Sequence, residues 1–207
     1  MVNSNPLHAK AMEIVLKRLG HSPSEFPREM VSSFMGRRVI DILEEVISYL
    51  KLDVNIDALN KERRDIFLKL VQEQLEVMPG LYKSLNFFKK NGYPIALASS
   101  GAKQYIGLVL KKFNLENYFN VIISGDDVSK GKPDPEPYLV AAKKLDLDPA
   151  DCLVLEDATN GIESAKAAGC KCIGVINLNT PLQDRSRADK VINSLEEINL
   201  EMINSLA

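Results

Sequence analysis

The first third of the chain shows only the hydrophobic pattern of helices. Apolar residues recur at helical spacing over residues 8–19, 28–34, 39–50 and 58–76, and no strand-like run interrupts them. The sequence Ser-Asn-Pro at 4–6 places a capping residue before a proline, which is typical of a helix start. Met-Pro-Gly at 78–80 breaks the pattern and suits a hinge. We therefore predict a small all-helical unit over residues 6–76.

After Gly80 the pattern alternates between strand-like and helical segments. Apolar runs of strand length at 93–98, 121–124, 152–155 and 172–176 alternate with helical patterns at 81–90, 102–113, 135–145 and 161–168. A short apolar run near Val191 and a helical pattern from Ser194 end the chain. Such alternation predicts a parallel sheet with helices on both faces. The expected fold is α/β, with residues 1–5 and 77–207 forming the core domain and residues 6–76 inserted into it.

Composition narrows the class of protein and of partner. The 207 residues are 45% hydrophobic and 26% charged, with a formal net charge of −2, so we expect neither a nucleic-acid partner nor a charged membrane-binding surface. No apolar run approaches the length of a membrane span, and no signal-peptide pattern opens the chain. Cys152, Cys170 and Cys172 occur in strand-like contexts, which predicts reduced thiols and a cytoplasmic protein.

Two carboxylates stand where the apolar run at 152–155 ends. Glu156 and Asp157 follow this run directly and precede a helix of small residues. Ligands of parallel sheets bind outside the carboxyl ends of the strands, so these acids are candidates for a metal site or a general base. The alternative is that Asp157 only caps the next helix, which is the common role of a lone acid at this position.

The segments after two other strands supply groups that bind anions. Ser99, Ser100 and Gly101 follow the strand at 93–98, so a hydroxyl and free backbone N–H groups can face one point. Lys132 lies in a loop that Pro133 stiffens. Ser99 could instead be a simple helix cap, and a lysine in such a loop is usually solvated.

Taken together, the hydroxyl, the lysine and the paired acids match the needs of phosphoryl transfer. The transferred group carries negative charge that a cation, N–H donors and a carboxylate-held Mg²⁺ stabilise together. Mg²⁺ suits an all-oxygen site with few protein ligands. We therefore predict a site for phosphoryl transfer that uses Mg²⁺.

The order of these motifs resembles the haloacid dehalogenase superfamily, and most of all its phosphatase and beta-phosphoglucomutase-like branch. The motifs are Ala-Ser-Ser at 98–100, Gly-Lys-Pro-Asp-Pro at 131–135, Leu-Glu-Asp at 155–157, and the Gly-Ile and Ala-Ala-Gly that follow. The resemblance implies a Rossmann-like core with an inserted helical cap. It also implies that Ser99 and Lys132 bind the phosphoryl group and act in catalysis, and that Glu156 and Asp157 hold Mg²⁺.

The chain departs from this pattern at its start. The family's first motif, a strand ending in Asp-x-Asp, supplies the attacking carboxylate of an aspartyl-phosphate mechanism, and no acidic residue precedes Glu13 here. We therefore expect an N-terminally shortened chain that lacks the first core strand and turns over phosphate esters negligibly by itself. The intact parent would be a Mg²⁺-dependent phosphatase acting on a small phosphorylated metabolite.

Specificity and the rival functions depend on the cap. Arg37 and Arg38 follow Gly36 in a segment that resembles the cap loop facing the active site, so Arg37 or Arg38 could bind a second anionic group of the substrate. Both arginines could instead be solvated at a helix start, and His8 and His21 are expected at the surface. Two alternatives to a phosphatase stay open: a beta-phosphoglucomutase-like sugar-phosphate mutase and a non-catalytic phosphate-binding module.

Overall fold

A computed structural model describes residues 1–206, and its first part is helical as the sequence predicts. Four α-helices precede the first strand: α1 (Asn5–Arg18), α2 (Arg28–Ser33), α3 (Val39–Leu50) and α4 (Ile56–Gln74). A 3₁₀ turn, Pro23–Glu25, joins α1 to α2. The Asn55 side chain caps α4 by accepting a hydrogen bond of 2.9 Å from the backbone N–H of Ala58.

The helical part has its own small apolar core. Val15 of α1, Leu43 of α3 and Leu59 of α4 form one buried cluster. Leu16 and Val46 form a second cluster with residues from the segment around α2. These side chains recur at helical spacing on α1 and α3, so the pattern that predicts the helices also selects the buried faces.

The remaining residues form an α/β unit. In chain order its elements are α5 (Leu81–Lys90), β1 (Ala96–Ala98), α6 (Lys103–Lys112), β2 (Val121–Ile123), α7 (Glu136–Leu145), β3 (Leu153–Glu156), α8 (Thr159–Ala167), β4 (Lys171–Val175), β5 (Lys190–Ile192) and α9 (Leu200–Asn204). Strands and helices alternate as predicted, which confirms the α/β class.

The strands lie in two parallel groups. β1 pairs with β2 in the register Leu97 to Ile122, and β3 pairs with β4 in the register Val154 to Cys172, with β5 beyond β4. Within residues 1–206 no strand joins β1 to β3. Because every pair is parallel, the carboxyl ends of neighbouring strands lie at the same edge, and this edge carries the candidate site.

Helices cover both faces of the sheet. Val154 and Cys172 pack on one face against residues of α7 and α8. Leu153, Leu155 and Ile173 alternate with them and pack on the other face against α5 and α6. In a strand that is buried on both faces, successive residues are all apolar. This is why these segments do not alternate between polar and apolar residues.

Two details differ from the sequence predictions. β1 begins at Ala96 and not at Tyr93, which is exposed. The helix expected from Ser194 is a single 3₁₀ turn over Leu195–Glu197, and α9 begins only at Leu200. Ser194 does make the capping contacts that suggest a helix start, but Ile198 then adopts an extended conformation and ends the turn.

Two chain segments connect the helical part to the α/β unit, and they run side by side. Val2 and Val77 form an antiparallel bridge, and the Met78 N–H donates to the Met1 carbonyl at 2.8 Å. Both crossings therefore lie together, close to the predicted hinge at 78–80. In the part of the chain that the structure describes, no helix has the length and apolar character needed to span a membrane.

Candidate active site

A buried lysine links the carboxyl ends of β1 and β3. The Lys132 ammonium donates to the Ala98 carbonyl at 3.1 Å, to the Tyr138 hydroxyl at 2.8 Å, and to the Glu156 carboxylate. The Tyr138 hydroxyl also donates to Glu156, at 2.7 Å. Since the Lys132 side chain is only 5% exposed and that of Glu156 10%, this is a buried ion pair with its hydrogen-bonding groups satisfied.

The electrostatics of this cluster keep Glu156 ionised. Burial by itself raises the pKa of the Glu156 carboxyl, but the charge and hydrogen bond of Lys132, helped by Tyr138, outweigh it and hold the pKa below its usual value. Burial and the neighbouring Glu156 charge raise the pKa of Tyr138 well above that of a free tyrosine. Tyr138 therefore stays protonated and acts as a hydrogen-bond donor to the carboxylate.

Gly161 makes room for the Glu156 carboxylate. A Cβ atom at position 161 would lie 2.1 Å from the Glu156 carboxyl carbon, which is far inside a van der Waals contact. The carboxylate packs against Gly161 and accepts hydrogen bonds from the N–H groups of Asp157 (3.1 Å) and Ala158 (3.3 Å), which directly precede α8. Glycine at position 161 therefore leaves the space that the Glu156 carboxylate occupies.

The segment that follows β4 holds Asp157 in place. The Asn177 side-chain amide donates to Asp157 Oδ2 at 3.0 Å, and the Arg185 guanidinium donates to the Asp157 carbonyl at 3.0 Å. The N-cap of α8 is Ala158, with no side-chain hydrogen bond. Asp157 therefore does not cap the helix, and this interpretation of the motif is wrong.

Glu156 and Asp157 can supply only some of the ligands that a divalent cation needs. Both oxygens of Glu156 accept hydrogen bonds from the protein, so Asp157 is the better placed of the two candidate ligands. Among residues 1–206 no group of three His, Cys, Asp or Glu side chains could enclose a metal ion. One carboxylate plus substrate and water oxygens is a usual arrangement for Mg²⁺.

The loop after β1 has a defined shape. Ser99 Oγ accepts a hydrogen bond of 3.1 Å from the N–H of Gly101, and the Ser100 hydroxyl donates to the Gly36 carbonyl at 2.6 Å. Helix α6 begins at Lys103 with Ala102 as its N-cap, so Ser99 is not the helix cap. The loop is continuous with the Ala98 carbonyl that accepts from Lys132, which places Ser99 beside the lysine cluster.

The loop of the helical part at residues 33–38 docks on the rim of the site, which is formed by the segments at the carboxyl ends of β1 and β3. Gly36 has φ +81° and its Cα approaches α8, since a Cβ there would lie 3.0 Å from the Ala158 Cβ. The Asn160 amide donates to the carbonyls of Ser33 and Met35 at 2.9 and 2.7 Å. The expected cap loop therefore does contact the core, through backbone groups.

The two arginines of this loop are paired with acids. Arg37 donates to Glu45 at 2.6 Å, and Arg38 donates to both oxygens of Asp41 at 2.8 and 2.9 Å. Arg38 also donates to the Val128 carbonyl at 3.3 Å, which ties the loop to the core. The role predicted for Arg37 in substrate binding thus stays a prediction, with its guanidinium already occupied in this structure.

Sequence analysis missed the two supporting residues, Tyr138 and Asn177. Tyr138 lies on the apolar face of α7, where nothing distinguishes it from a core tyrosine. Asn177 follows β4 closely, so the rule that singled out Glu156 and Asp157 applies to it as well. His8 was expected at the surface. It is instead partly buried and stacks on Phe67 with 3.9 Å between the ring centroids.

Comparisons with known proteins show which family this chain belongs to. A family model described as haloacid dehalogenase-like hydrolase matches residues 1–175. A phosphorylated carbohydrates phosphatase of Thermotoga maritima is 31% identical over 179 residues, which are 86% of this chain and 81% of that protein. The bifunctional riboflavin kinase/FMN phosphatase of Arabidopsis thaliana is 36% identical over 168 residues, 81% of this chain but only 44% of that protein.

A solved structure shows the same fold. The crystal structure of beta-phosphoglucomutase from Clostridium difficile superposes with a TM-score of 0.84, covering 98% of this chain and 90% of that chain at 22% identity. At this identity the likeness concerns the fold alone. Because the family model extends over most of the sequence and the motif residues Lys132 and Glu156 meet at the strand ends, the chain belongs to the haloacid dehalogenase-like hydrolase family.

Proposed function

We propose that residues 1–206 supply the phosphoryl-binding and Mg²⁺-binding groups of an enzyme that hydrolyses a small phosphorylated metabolite. The observation that carries the proposal is the buried Lys132 ammonium, fixed between Ala98 and Glu156 beside the Ser99 loop. The names of the two relatives, both phosphatases, support the same reaction class. The three free cysteines support a reducing compartment such as the cytoplasm.

Each side chain has a distinct role in this proposal. A phosphoryl oxygen would replace the Ala98 carbonyl, the longest of the three Lys132 contacts, while Tyr138 and Glu156 keep the ammonium in place. The Ser99 hydroxyl would donate to a second phosphoryl oxygen. Asp157 would hold Mg²⁺ in the orientation set by Asn177. When bound, the cation would neutralise part of the charge of the phosphoryl group.

Calorimetric titration with ethyl phosphate and Mg²⁺ tests the binding residues. We expect Lys132→Met and Ser99→Ala each to weaken binding about tenfold or more, since each removes a hydrogen bond to a charged group. Lys130→Met is the matched control, because Lys130 lies in the same loop with a side chain that is 75% exposed. Equal affinities for all four proteins would contradict the assignment of the phosphoryl site.

Hydrolysis needs its own test. Phosphate release from the same ester is measured with the protein expressed from its complete gene. This release should require Mg²⁺ and should be lost in Asp157→Asn. Release that is unchanged by a chelator of divalent cations would contradict the proposed cofactor. Absence of release at saturating ester and Mg²⁺ would favour the non-catalytic binding module.

A sugar-phosphate mutase is the second candidate. The docked loop at residues 33–38 supports it, because Ser100 and Asn160 hold this loop over the rim where water would otherwise enter. A mutase returns the phosphoryl group to the substrate. A requirement for a catalytic amount of a sugar bisphosphate, with no net phosphate release, would favour the mutase over the phosphatase.

A further inference from the structure

The segment between β4 and β5 buries polar side chains and exposes apolar ones. Residues 177–185, here called the strap, contain no helix or strand. The amide side chains of Asn177 and Gln183 are buried, whereas Leu178 and Leu182 are 91% and 93% exposed. Leucine is normally a buried residue, and a buried amide needs hydrogen-bond partners. Polar contacts, and not apolar burial, therefore hold the strap in place.

Gln183 of the strap caps helix α8. Its Oε1 accepts a hydrogen bond of 3.0 Å from the N–H of Thr159, the first residue of α8. In return, the Asp184 N–H donates to the Thr159 hydroxyl at 2.9 Å. The N-cap residue Ala158 has no side chain that could accept, so the strap supplies the cap that α8 lacks locally. The strap thereby fixes the helix start that lies two positions after Asp157.

Arg185 joins the strap to the ends of β3 and β4. Its guanidinium donates to three backbone carbonyls, those of Asp157 (3.0 Å), Val175 (3.2 Å) and Gln183 (3.2 Å). Its stem packs on Gly174, where an added Cβ would lie 3.3 Å from the Arg185 Cδ. Within residues 1–206 it forms no ion pair with a carboxylate. Its donors therefore serve the backbone, including the peptide group of the proposed Mg²⁺ ligand.

The Asp157 carboxylate has a contact of its own with the strap. The Asn177 amide donates to Asp157 Oδ2 at 3.0 Å, and the Asn179 N–H donates to Asn177 Oδ1 at 3.1 Å. The second hydrogen bond fixes the orientation of the amide, so that its NH₂ group faces the carboxylate. The strap therefore restrains the side chain of Asp157, its carbonyl group and the helix that follows.

We propose that Arg185 is a positioning residue for Mg²⁺ binding, and that through it the strap sets the direction of the Asp157 carboxylate. The inference rests on the proposed function, which assigns Mg²⁺ to Asp157. Arg185 would not touch the cation, because its donors hold the peptide group of the ligand. Loss of a group that orients a metal ligand typically weakens metal binding about 10- to 100-fold. By linkage, bound Mg²⁺ should in turn hold the strap more firmly.

Calorimetric titration with Mg²⁺ tests this role. Each protein is titrated at a temperature at which circular dichroism shows it to be fully folded, so that lost stability is not mistaken for lost affinity. Arg185→Met keeps an apolar stem without donors and should weaken Mg²⁺ binding about tenfold or more. Arg185→Lys cannot reach three carbonyls at once and should weaken it less; this variant carries the test if Arg185→Met unfolds. Arg187→Met, at an exposed position just beyond the strap, is the matched control and should bind Mg²⁺ as the wild type does.

Amide hydrogen exchange gives a second readout, which a merely structural role of Arg185 would not move. The N–H groups of Thr159 and Asp184 form the hydrogen bonds between α8 and the strap. Both should exchange more slowly in the wild type when Mg²⁺ is added, and Mg²⁺ should slow them less in Arg185→Met. Slowing by Mg²⁺ that is equal in the two proteins would overturn the inference.

The outcomes separate this inference from the proposed function. Asp157→Asn should abolish Mg²⁺ binding. If it does so while Arg185→Met and Arg185→Lys bind Mg²⁺ as tightly as the wild type, the inference is overturned and the proposed metal site stands. An equal loss in Arg185→Met and Arg187→Met also overturns the inference, since any change near the strap would then act alike. If the wild type binds no Mg²⁺, or if binding survives Asp157→Asn, the proposed metal site and the inference both fail.

Discussion

Replacing Lys132 by methionine should lower the free energy of unfolding, because it leaves Glu156 as a buried charge without its partner. Methionine fills a similar volume but removes the ammonium that accompanies Glu156, whose side chain is 10% exposed. Tyr138 and two backbone N–H groups would remain as its hydrogen-bond partners. Breaking a buried pair by removing one partner typically costs about 3–5 kcal/mol of unfolding free energy at neutral pH. Urea unfolding followed by circular dichroism measures this cost.

The loss of stability caused by Lys132→Met should depend on pH. In the wild type the pKa of Glu156 lies below its usual value. Ionised Glu156 therefore adds to the free energy of unfolding at any pH above the usual pKa, and this contribution is lost as the pH falls through the lowered pKa. Without Lys132, burial is opposed only by weaker contacts and should raise the pKa. The variant should then lose stability as pH rises, so its difference from wild type should grow between about pH 4 and pH 7.

Two further variants make this prediction refutable. Lys130→Met, which removes an exposed partner 3.8 Å from Asp134, should change the unfolding free energy by less than about 0.5 kcal/mol. Adding Glu156→Gln to Lys132→Met should recover part of the loss, because no unpaired charge remains buried. The reasoning is refuted if Lys132→Met costs no more than Lys130→Met, or if its cost does not change with pH.

Two other predictions concern groups that position the carboxylates. Gly161→Ala should displace Glu156 and weaken ethyl phosphate binding about tenfold, whereas Gly107→Ala, in open space on α6, should not; equal effects on calorimetric affinity would contradict the packing argument. Asn177→Ala should weaken Mg²⁺ binding at Asp157 about 10- to 100-fold, seen as a smaller Mg²⁺-induced rise in the thermal midpoint. An unchanged rise would show that Asn177 does not orient the ligand.

The fold and the rim could be predicted because each follows from a local rule. Apolar runs buried on both faces mark β3 and β4, and polar residues directly after such runs must lie at the carboxyl edge of a parallel sheet. This is why Glu156 could be assigned to that edge, whereas Lys132, nine positions after the end of β2, was assigned to it from the loop that Pro133 stiffens and from the order of the motifs. Asn177 obeys the same rule and could have been included.

The burial of Arg63 could not be predicted, because it depends on how the helical part packs on α6. On α4 alone, Arg63 and Arg64 look like solvated charges of an amphipathic helix. Arg63 is buried where Phe67 of α4 packs with Val109 and Tyr105 of α6. The prediction of a helix from Ser194 was wrong for a related reason: the local capping signal is real, but it cannot tell one turn from several.

The most direct test of the account is the affinity of the protein for ethyl phosphate in the presence of Mg²⁺, with Lys132 intact and replaced. The account predicts saturable binding by the wild type, a loss of about tenfold or more in Lys132→Met, and no loss in Lys130→Met. Ester binding of equal strength in all three proteins would contradict the claim that the buried Lys132 at the ends of β1 and β3 receives a phosphoryl group.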